Sequence, residues 1–264
     1  MSKKNKPQVA FGIYTGRYVS GTAPMNMLTM AFELAKADMW GGMEHVSSCR
    51  VDSNRNYLIH DFLHETTNDY LFIVDEDMQH PGPMPVVLAE RELPVVSGLY
   101  FRRNEGREFY PQFYKYEGQS EETRRGHGKA VNDYYRAMLP EVVQFFGSLD
   151  NVPNVDTPLI LTHADGTVID NGLMRIDGGG FGCLMIRRDV LEKLDEPYLI
   201  CEPGLNGDLV FYKQLREKGI EVWGDCSVIA THNYDDHVGV GSFCDFANRY
   251  VASGNTLEVN KSDA

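Results

Sequence analysis

Apolar and polar positions along the chain fall into blocks that predict strands followed by helices. The first block, "VAFGIY" (Val9–Tyr14), is an apolar run of strand length that leads into a Gly- and Ser-rich loop, "TGRYVSGTAP". In "MNMLTMAFELAKA" the apolar residues recur at helical spacing, which predicts an amphipathic helix. We predict that its apolar face consists of Met25, Leu28, Phe32 and Ala35.

The same alternation continues towards the middle of the chain. "EHVSSCRV" is predicted as a second strand, and Ser53 as the N-cap of the helix that follows it. "YLFIV" is predicted as the third strand and "LPVVSGLY" as the fourth. The apolar stripe of the intervening helix consists of Leu58, Ile59, Phe62 and Leu63. Strands that alternate with helices predict an α/β fold with a largely parallel sheet.

The later part of the chain returns to ordered elements after a polar middle. "MRIDGGGFGCLMIRRDVLEKL" predicts a strand, a glycine turn, a buried strand and a helix. "GDLVFYKQLREKGIEVWGDCSVIATH" predicts a helix that stops at Gly219, then two short strands that end at His232. We expect a polar insertion near residues 117–136 and a frayed tail at about 258–264. The 264 residues contain no internal repeat and no clear linker, so we predict one domain over residues 1–264.

Composition excludes several classes of protein and predicts the cellular compartment. The five cysteines follow no CxxC spacing, which argues against a disulfide framework and a zinc ribbon and favours reduced thiols in a cytosol. The chain has no apolar run long enough to span a membrane, and its basic start, "MSKKNKPQVA", lacks an apolar signal core. We therefore expect a cytoplasmic location. The formal charge of −13 disfavours a protein whose surface is covered by nucleic acid, although a local basic patch could still contact phosphate.

Three carboxylates stand where the third predicted strand ends. Ligands of parallel sheets bind beyond the carboxyl ends of the strands, and Asp75-Glu76-Asp77 follows such an end. Adjacent acids repel one another, and a hard divalent cation such as Mg²⁺ or Mn²⁺ would offset that repulsion. In extended backbone Asp75 and Asp77 would point to one side and Glu76 to the other. The alternative is a solvated loop whose acids cap a helix.

In this setting the chain resembles a known family of enzymes. "YLFIVDEDMQHP" resembles the DxD segment of glycosyltransferases with the GT-A fold, and "DSNRNYLIHDFL" is similar to the helix whose Arg-Asn pair precedes it. "LPVVSGLYFRR", "IDGGGFGCLMIRRDVLEKL" and "GDLVFYKQLREKGIEVWGDCSVIATH" resemble later segments of the same family in the same order. The resemblance covers roughly Val9 to His232 and is strongest to small family-two-type enzymes, including bacteriophage-encoded ones.

The resemblance implies a fold and a set of donor-binding residues. It implies a single GT-A (Rossmann-like) domain with a mostly parallel central sheet and helices on both faces. The nucleotide-sugar half would span about 9–100 and the acceptor half about 101–257. Asp75 would contact ribose or metal, Asp77 and His232 would ligate Mn²⁺ or Mg²⁺, and His237 is an alternative ligand. The further residues implied at the nucleotide sugar are Tyr14 and Thr15 at the base, Arg55 at base or phosphates, and Glu76, Gly179 and Gly180.

The catalytic base is the point at which the sequence departs from the family. Many relatives have Glu-Asp at the start of the late helix, whereas this chain has Gly207-Asp208, so Asp208 is the remaining candidate. As a base on the acceptor hydroxyl it would give an inverting displacement. Asp208 also fits a helix N-cap. A retaining transferase would not need such a base.

The resemblance implies transfer of a sugar, favoured as a hexosyl group from a UDP-sugar, to an acceptor hydroxyl. The acceptor stays open among a glycan, a lipid, a protein, a small molecule and a hydroxylated base in phage DNA. The segment Phe101–Arg136 has eight Lys and Arg against six Asp and Glu, a net of +2 in an acidic chain. Its interleaved aromatic residues suit stacking on bases or sugars. They also suit an aromatic strand packed on the sheet, which we favour.

Two alternative functions belong to other classes of protein. A nucleotidyltransferase that makes nucleotide sugars would be expected to carry a lysine in the glycine-rich loop after the first strand, and "TGRYVSGTAP" has none. A carbohydrate-binding relative without turnover is the non-enzymatic alternative, and the missing acid before Asp208 keeps it open.

Overall fold

One mixed sheet forms the centre of the computed structural model, which describes residues 6–15, 23–47, 51–102, 110–115, 145, 158–200 and 207–232. In chain order the elements are β1 (Val9–Thr15), α1 (Ala23–Lys36), β2 (Trp40–Ser47), α2 (Val51–Glu65), β3 (Tyr70–Val74), β4 (Met78–Gln79), α3 (Met84–Glu90), β5 (Val95–Leu99), β6 (Phe101–Arg102), β7 (Tyr110–Pro111), β8 (Phe113–Tyr114), β9 (Leu159–Ile160), a 3-10 turn (Asp170–Gly172), β10 (Leu173–Ile176), β11 (Gly178–Gly179), β12 (Cys183–Arg187), α4 (Arg188–Leu191), α5 (Gly207–Glu217), β13 (Val222–Ile229) and β14 (Thr231–His232).

The strand order across the sheet is β10-β13-β5-β12-β3-β1-β2, with β9 paired to β13. β1 is parallel to β2 and to β3, and β5 is parallel to β13. β12 is antiparallel to both β3 and β5 and separates them. Five of the eight strands therefore run in one direction, as predicted, whereas β9, β10 and β12 run against them, β12 at the centre of the sheet. The carboxyl ends of β1, β2 and β3 meet at one edge, where Ile13 is paired with Val74 and Thr15 with Ser47.

Helices cover both faces of the sheet because successive strand residues point to opposite sides. Leu71 and Ile73 of β3 pack in one apolar cluster with α2, α4 and α5. Phe72 and Val74 pack in the other cluster with α1 and α3. The predicted stripe of α2 is confirmed, since Leu58, Ile59 and Phe62 are fully buried and Leu63 packs against them. Each such side chain stabilises the fold by roughly 1.5–3 kcal/mol relative to leaving it exposed.

The predicted apolar face of α1 is wrong. Met25, Leu28 and Phe32 are 66%, 63% and 62% exposed, and Ala35 is exposed as well. The helix instead buries Met30 and Leu34 against the sheet. These two residues also lie four positions apart, so the helix carries two apolar stripes and packing selects one of them.

Two boundaries also differ from the sequence-based expectation. The strand predicted over "EHVSSCRV" is β2, which begins at Trp40 and ends at Ser47. The helix that follows begins at Val51, so Ser53 lies inside α2 and is not its N-cap. Propensity is weakest at element ends, where tertiary contacts decide the boundary.

Several predictions fall outside the described residues: the polar insertion near 117–136, the tail at 258–264, His237, and Cys49, Cys201 and Cys244. The other two cysteines, Cys183 and Cys226, are buried and free. Burial raises the pKa of the Cys183 thiol to about 12, so it stays protonated. Among the described helices, none combines the length and apolar character that crossing a membrane requires.

Candidate active site

The turn after β3 brings together two of the predicted metal-binding positions. Met78 N–H donates to the carbonyl of Asp75 at 3.3 Å and closes a turn over the three acids. The next two residues form β4, which pairs antiparallel with β14 so that Met78 lies opposite His232. The backbone of His232 therefore lies beside the residue that follows Asp77. The side chain of His232 is outside what the structure describes.

The turn replaces the extended backbone that was expected for Asp75 to Asp77. Glu76 and Asp77 are both turn residues, so the alternation that would place Asp75 and Asp77 on one side does not apply. All three acids are partly exposed at the carboxyl edge of the sheet.

Arg55 joins two predicted site residues that are far apart in sequence. It comes from the second turn of α2 and is 5% exposed. Its Nη2 donates to Asp75 Oδ1 at 3.2 Å, and its Nη1 donates to Asp208 Oδ1. The guanidinium also stacks on Phe181, 4.6 Å from the ring centre. A planar fork with fixed donors is suited to holding two carboxylates at once.

Asp208 lies in the first turn of α5, where the helix dipole favours a negative side chain. With Gly207 already helical, Asp208 is inside the helix and not at its N-cap. One arginine and four acids (Asp75, Glu76, Asp77 and Asp208) meet around this edge. The formal charges of these five described residues sum to −3, and a cation would offset that charge.

Close packing explains why glycine is required at Gly179 and Gly180. β11 pairs with β8, and a Cβ on Gly179 would come within 2.8 Å of the Gln112 carbonyl oxygen. A Cβ on Gly180 would overlap the Tyr100 hydroxyl oxygen. The predicted contact of these glycines with the sugar stays a prediction.

Tyr100 and Tyr212 were not singled out in the sequence, yet they fasten this loop to its neighbours. The Tyr100 hydroxyl accepts a hydrogen bond from Gly182 N–H at 3.0 Å. Burial, and then the nearby Asp75 carboxylate, raise the pKa of Tyr100 well above its usual value, so the phenol stays neutral. Tyr212 of α5 donates to the Gly180 carbonyl at 3.3 Å. One feature of the sequence could have identified Tyr100: it directly follows the apolar strand β5, at the carboxyl edge of the sheet.

The remaining predicted donor residues, Tyr14 and Thr15, end β1. Their backbone is paired with Val46 and Ser47 of β2, at the same edge as the acids. Their side chains lie outside the described part of the chain. Contact with a nucleotide base stays a prediction for both residues.

Comparisons with known proteins bear on the fold. No family model and no curated protein matches the chain. Among solved structures, A197 from STIV is similar with a TM-score of 0.50 and 17% identity, over 88% of this chain and 93% of that chain. GalNAc-T7, solved with UDP, GalNAc and Mn²⁺, gives a TM-score of 0.46 and 9% identity over 88% of this chain. The chain spans 44% of GalNAc-T7, less than half its length. At these identities the likeness concerns the fold alone, and the predicted α/β class is confirmed.

Proposed function

We propose that the chain is a metal-dependent glycosyltransferase that moves a sugar from a nucleotide-diphosphate sugar to an acceptor hydroxyl. The favoured donor is a UDP-sugar, and the favoured transferred group is a hexosyl group. The observation that carries the proposal is the Arg55 bridge, which holds Asp75 of the DxD turn and Asp208 of α5 at one edge of the sheet. These are the two positions to which the motif resemblance assigns donor binding and base catalysis.

The residues at this edge fit a hard divalent cation. Carboxylate oxygens suit Mg²⁺ and Mn²⁺, and the pairing of β14 with β4 adds the His232 position beside the same turn. Asp75, Asp77 and His232 would hold the ion. When bound, the ion supplies stabilisation of the diphosphate as the leaving group.

The protein's own residues would then act on the donor and acceptor. Arg55 holds the Asp75 and Asp208 carboxylates in place through charge-assisted hydrogen bonds. Asp208 would accept the proton of the acceptor hydroxyl. At the same time the acceptor oxygen would bond to the anomeric carbon, and the bond between that carbon and the diphosphate would break. Direct displacement of this kind inverts the anomeric configuration.

Metal dependence tests the proposal. The full chain is incubated with a panel of nucleotide sugars, and release of the nucleoside diphosphate is measured. We expect activity with Mn²⁺ or Mg²⁺, loss in EDTA, and loss in Asp77→Asn with an unchanged melting temperature. The matched control is Asp195→Asn, an exposed aspartate paired with Lys218, which should retain activity. Full activity in chelator would rule out the metal role of the DxD turn.

The base assignment has its own test. Asp208→Asn is expected to lower kcat by about 10²–10⁴-fold, with little change in the KM for the donor, because the lost group acts on the acceptor proton. Steady-state kinetics with a working acceptor measures both constants. A loss of only a few-fold would leave Asp208 with a structural role, and a product of retained configuration would exclude the inverting scheme.

A further inference from the structure

One exposed face of α2 carries two histidines a single turn apart. His60 and His64 are four residues apart, a rise of about 6 Å that places both side chains on the same side of the helix. Both are exposed, and their ring centres are 4.3 Å apart. This face differs from the one that carries Arg55, because Arg55 is buried and donates to Asp75 and Asp208.

A carboxylate from another part of the chain completes a group of three. Glu196 lies beyond α4, and its Oε1 is 3.1 Å from Nδ1 of His60. The Tyr198 hydroxyl donates to the same oxygen at 3.0 Å and fixes the position of the carboxylate. The ligand atoms of His60, His64 and Glu196 all lie within 4.8 Å of one another.

The donor set and spacing fit a transition-metal ion. In tetrahedral zinc sites with bonds of about 2.0–2.2 Å, neighbouring ligand atoms are about 3.4 Å apart. His60 Nδ1 and Glu196 Oε1 are hydrogen-bonded at 3.1 Å, a distance close to that separation, so an ion would replace this direct contact. The ligand atom of the exposed His64 ring lies within 4.8 Å of both, and side-chain rotation would bring it to that separation. Two imidazoles and one carboxylate favour Zn²⁺, Co²⁺, Ni²⁺ or Cu²⁺ over Mg²⁺.

We propose that His60, His64 and Glu196 form a second cation site, specific for zinc-like divalent ions and separate from the DxD turn. Three protein ligands leave one coordination position of a tetrahedral ion for water or an outside ligand. Two of the three ligands also line an open groove of about 500 Å³, whose lining residues are Asn56, Tyr57, His60, Glu196, Pro197 and Tyr198.

A bound ion would link the segment around Glu196 to α2. The Asn56 side chain already bonds this segment twice, as its Nδ2 donates to Leu199 O at 2.7 Å and its Oδ1 accepts from Leu199 N–H at 3.0 Å. An ion held by His60, His64 and Glu196 would add a third connection, about one to two turns further along α2. Because the unfolded chain lacks this arrangement, binding stabilises the native state.

The test uses the full chain freed of metal. Co²⁺ is titrated while its visible absorption, which is strong for four-coordinate and weak for six-coordinate Co²⁺, is recorded, and Zn²⁺ affinity is then measured by competition. We expect a tetrahedral Co²⁺ spectrum whose intensity depends on His64, and a Zn²⁺-dependent rise in melting temperature. His64→Gln should weaken binding by at least about tenfold, since even outer-sphere partners of metal ligands are worth about 10–100-fold. The matched control is His163→Gln, an exposed loop histidine, which should bind as the wild type does.

A second control separates this site from the DxD turn. Asp77→Asn should leave the His64-dependent part of the Co²⁺ spectrum and the Zn²⁺ effect on melting unchanged. Two results would overturn the proposal: no tetrahedral Co²⁺ spectrum in the wild type, or equal affinity in His64→Gln. Loss of the signal in Asp77→Asn would assign it to the DxD turn and also overturn it. Donor hydrolysis with Mn²⁺ does not depend on this site, so its presence or absence reports only on the proposed function.

Discussion

Arg55 shows how one buried charge organises the site. A cation that is 5% exposed is costly to desolvate unless it is paired, and here two carboxylates and an aromatic ring surround it. Removing one partner of such a group is generally strongly destabilising, by about 3–5 kcal/mol. The arginine therefore links the position of the DxD turn to that of Asp208. This role was not expected for a residue predicted only to contact the nucleotide.

Gly180 and Tyr100 allow the close packing of the glycine loop to be tested. Gly180→Ala should lower the free energy of unfolding by about 1–3 kcal/mol, because the added methyl group overlaps the Tyr100 hydroxyl. Tyr100→Phe alone should cost about 1 kcal/mol through loss of the bond from Gly182 N–H. Urea unfolding of the two single variants and the double variant measures the coupling. The double variant should be more stable than the sum of the single losses predicts, and strict additivity would contradict the packing argument.

Among the elements, α4 holds α2 in place through Arg188. Its guanidinium donates to the carbonyls of Phe62, Thr66 and Asn68 at 2.8, 3.1 and 2.6 Å, and it stacks on the Phe62 ring. These carbonyls lie at and just beyond the C-terminal end of α2, where the helix dipole favours a cation. Because α2 carries Arg55, the orientation of the site depends on this contact between elements.

Arg188→Lys should therefore destabilise the fold. A lysine keeps the charge but cannot supply the planar fork, so we expect a loss of about 1–3 kcal/mol in the free energy of unfolding. Arg187→Lys is the control, since Arg187 is half-exposed and pairs with Asp189 at the surface. It should change stability by less than about 0.5 kcal/mol. Equal losses in the two variants, measured by urea unfolding, would show that the carbonyl contacts contribute little.

On the scale of the whole molecule, charge is distributed unevenly. The chain has a formal charge of −13, whereas Phe101–Arg136 has a net charge of +2. The described part of that segment includes β6, β7 and β8, and β8 is paired with the glycine strand β11. Its strand β8 thus contacts the glycine strand next to the proposed active site.

If the acceptor is modified DNA, binding should depend on salt. Each phosphate contacted on a duplex contributes roughly 0.9 to the slope of log affinity against log salt. Replacing Arg124 and Arg125 with glutamine should reduce that slope and leave donor hydrolysis unchanged, and replacing Lys36 and Lys193 should not. A gel-shift titration at two salt concentrations, with hydroxymethylated and plain DNA, measures this. Absence of binding at low salt removes DNA as the acceptor.

The local elements were determined by the sequence itself. β3 was predicted with its observed bounds because a strand buried on both faces is apolar throughout. The stripe of α2, the end of the late helix near Gly219 and the position of the acids at a strand end also follow from local patterns. These features depend on residues close in sequence, so periodicity and turn chemistry suffice to predict them.

Only the tertiary structure decided how these elements meet. The reversed β12 between β3 and β5, the pairing of β14 with β4, and the Arg55 bridge each join residues far apart in the chain. The buried face of α1 was decided in the same way, because the helix has two apolar stripes and the sheet covers one. Periodicity reports which residues share a face, but burial is decided by the partner that packs on it, and that partner is set by long-range contacts.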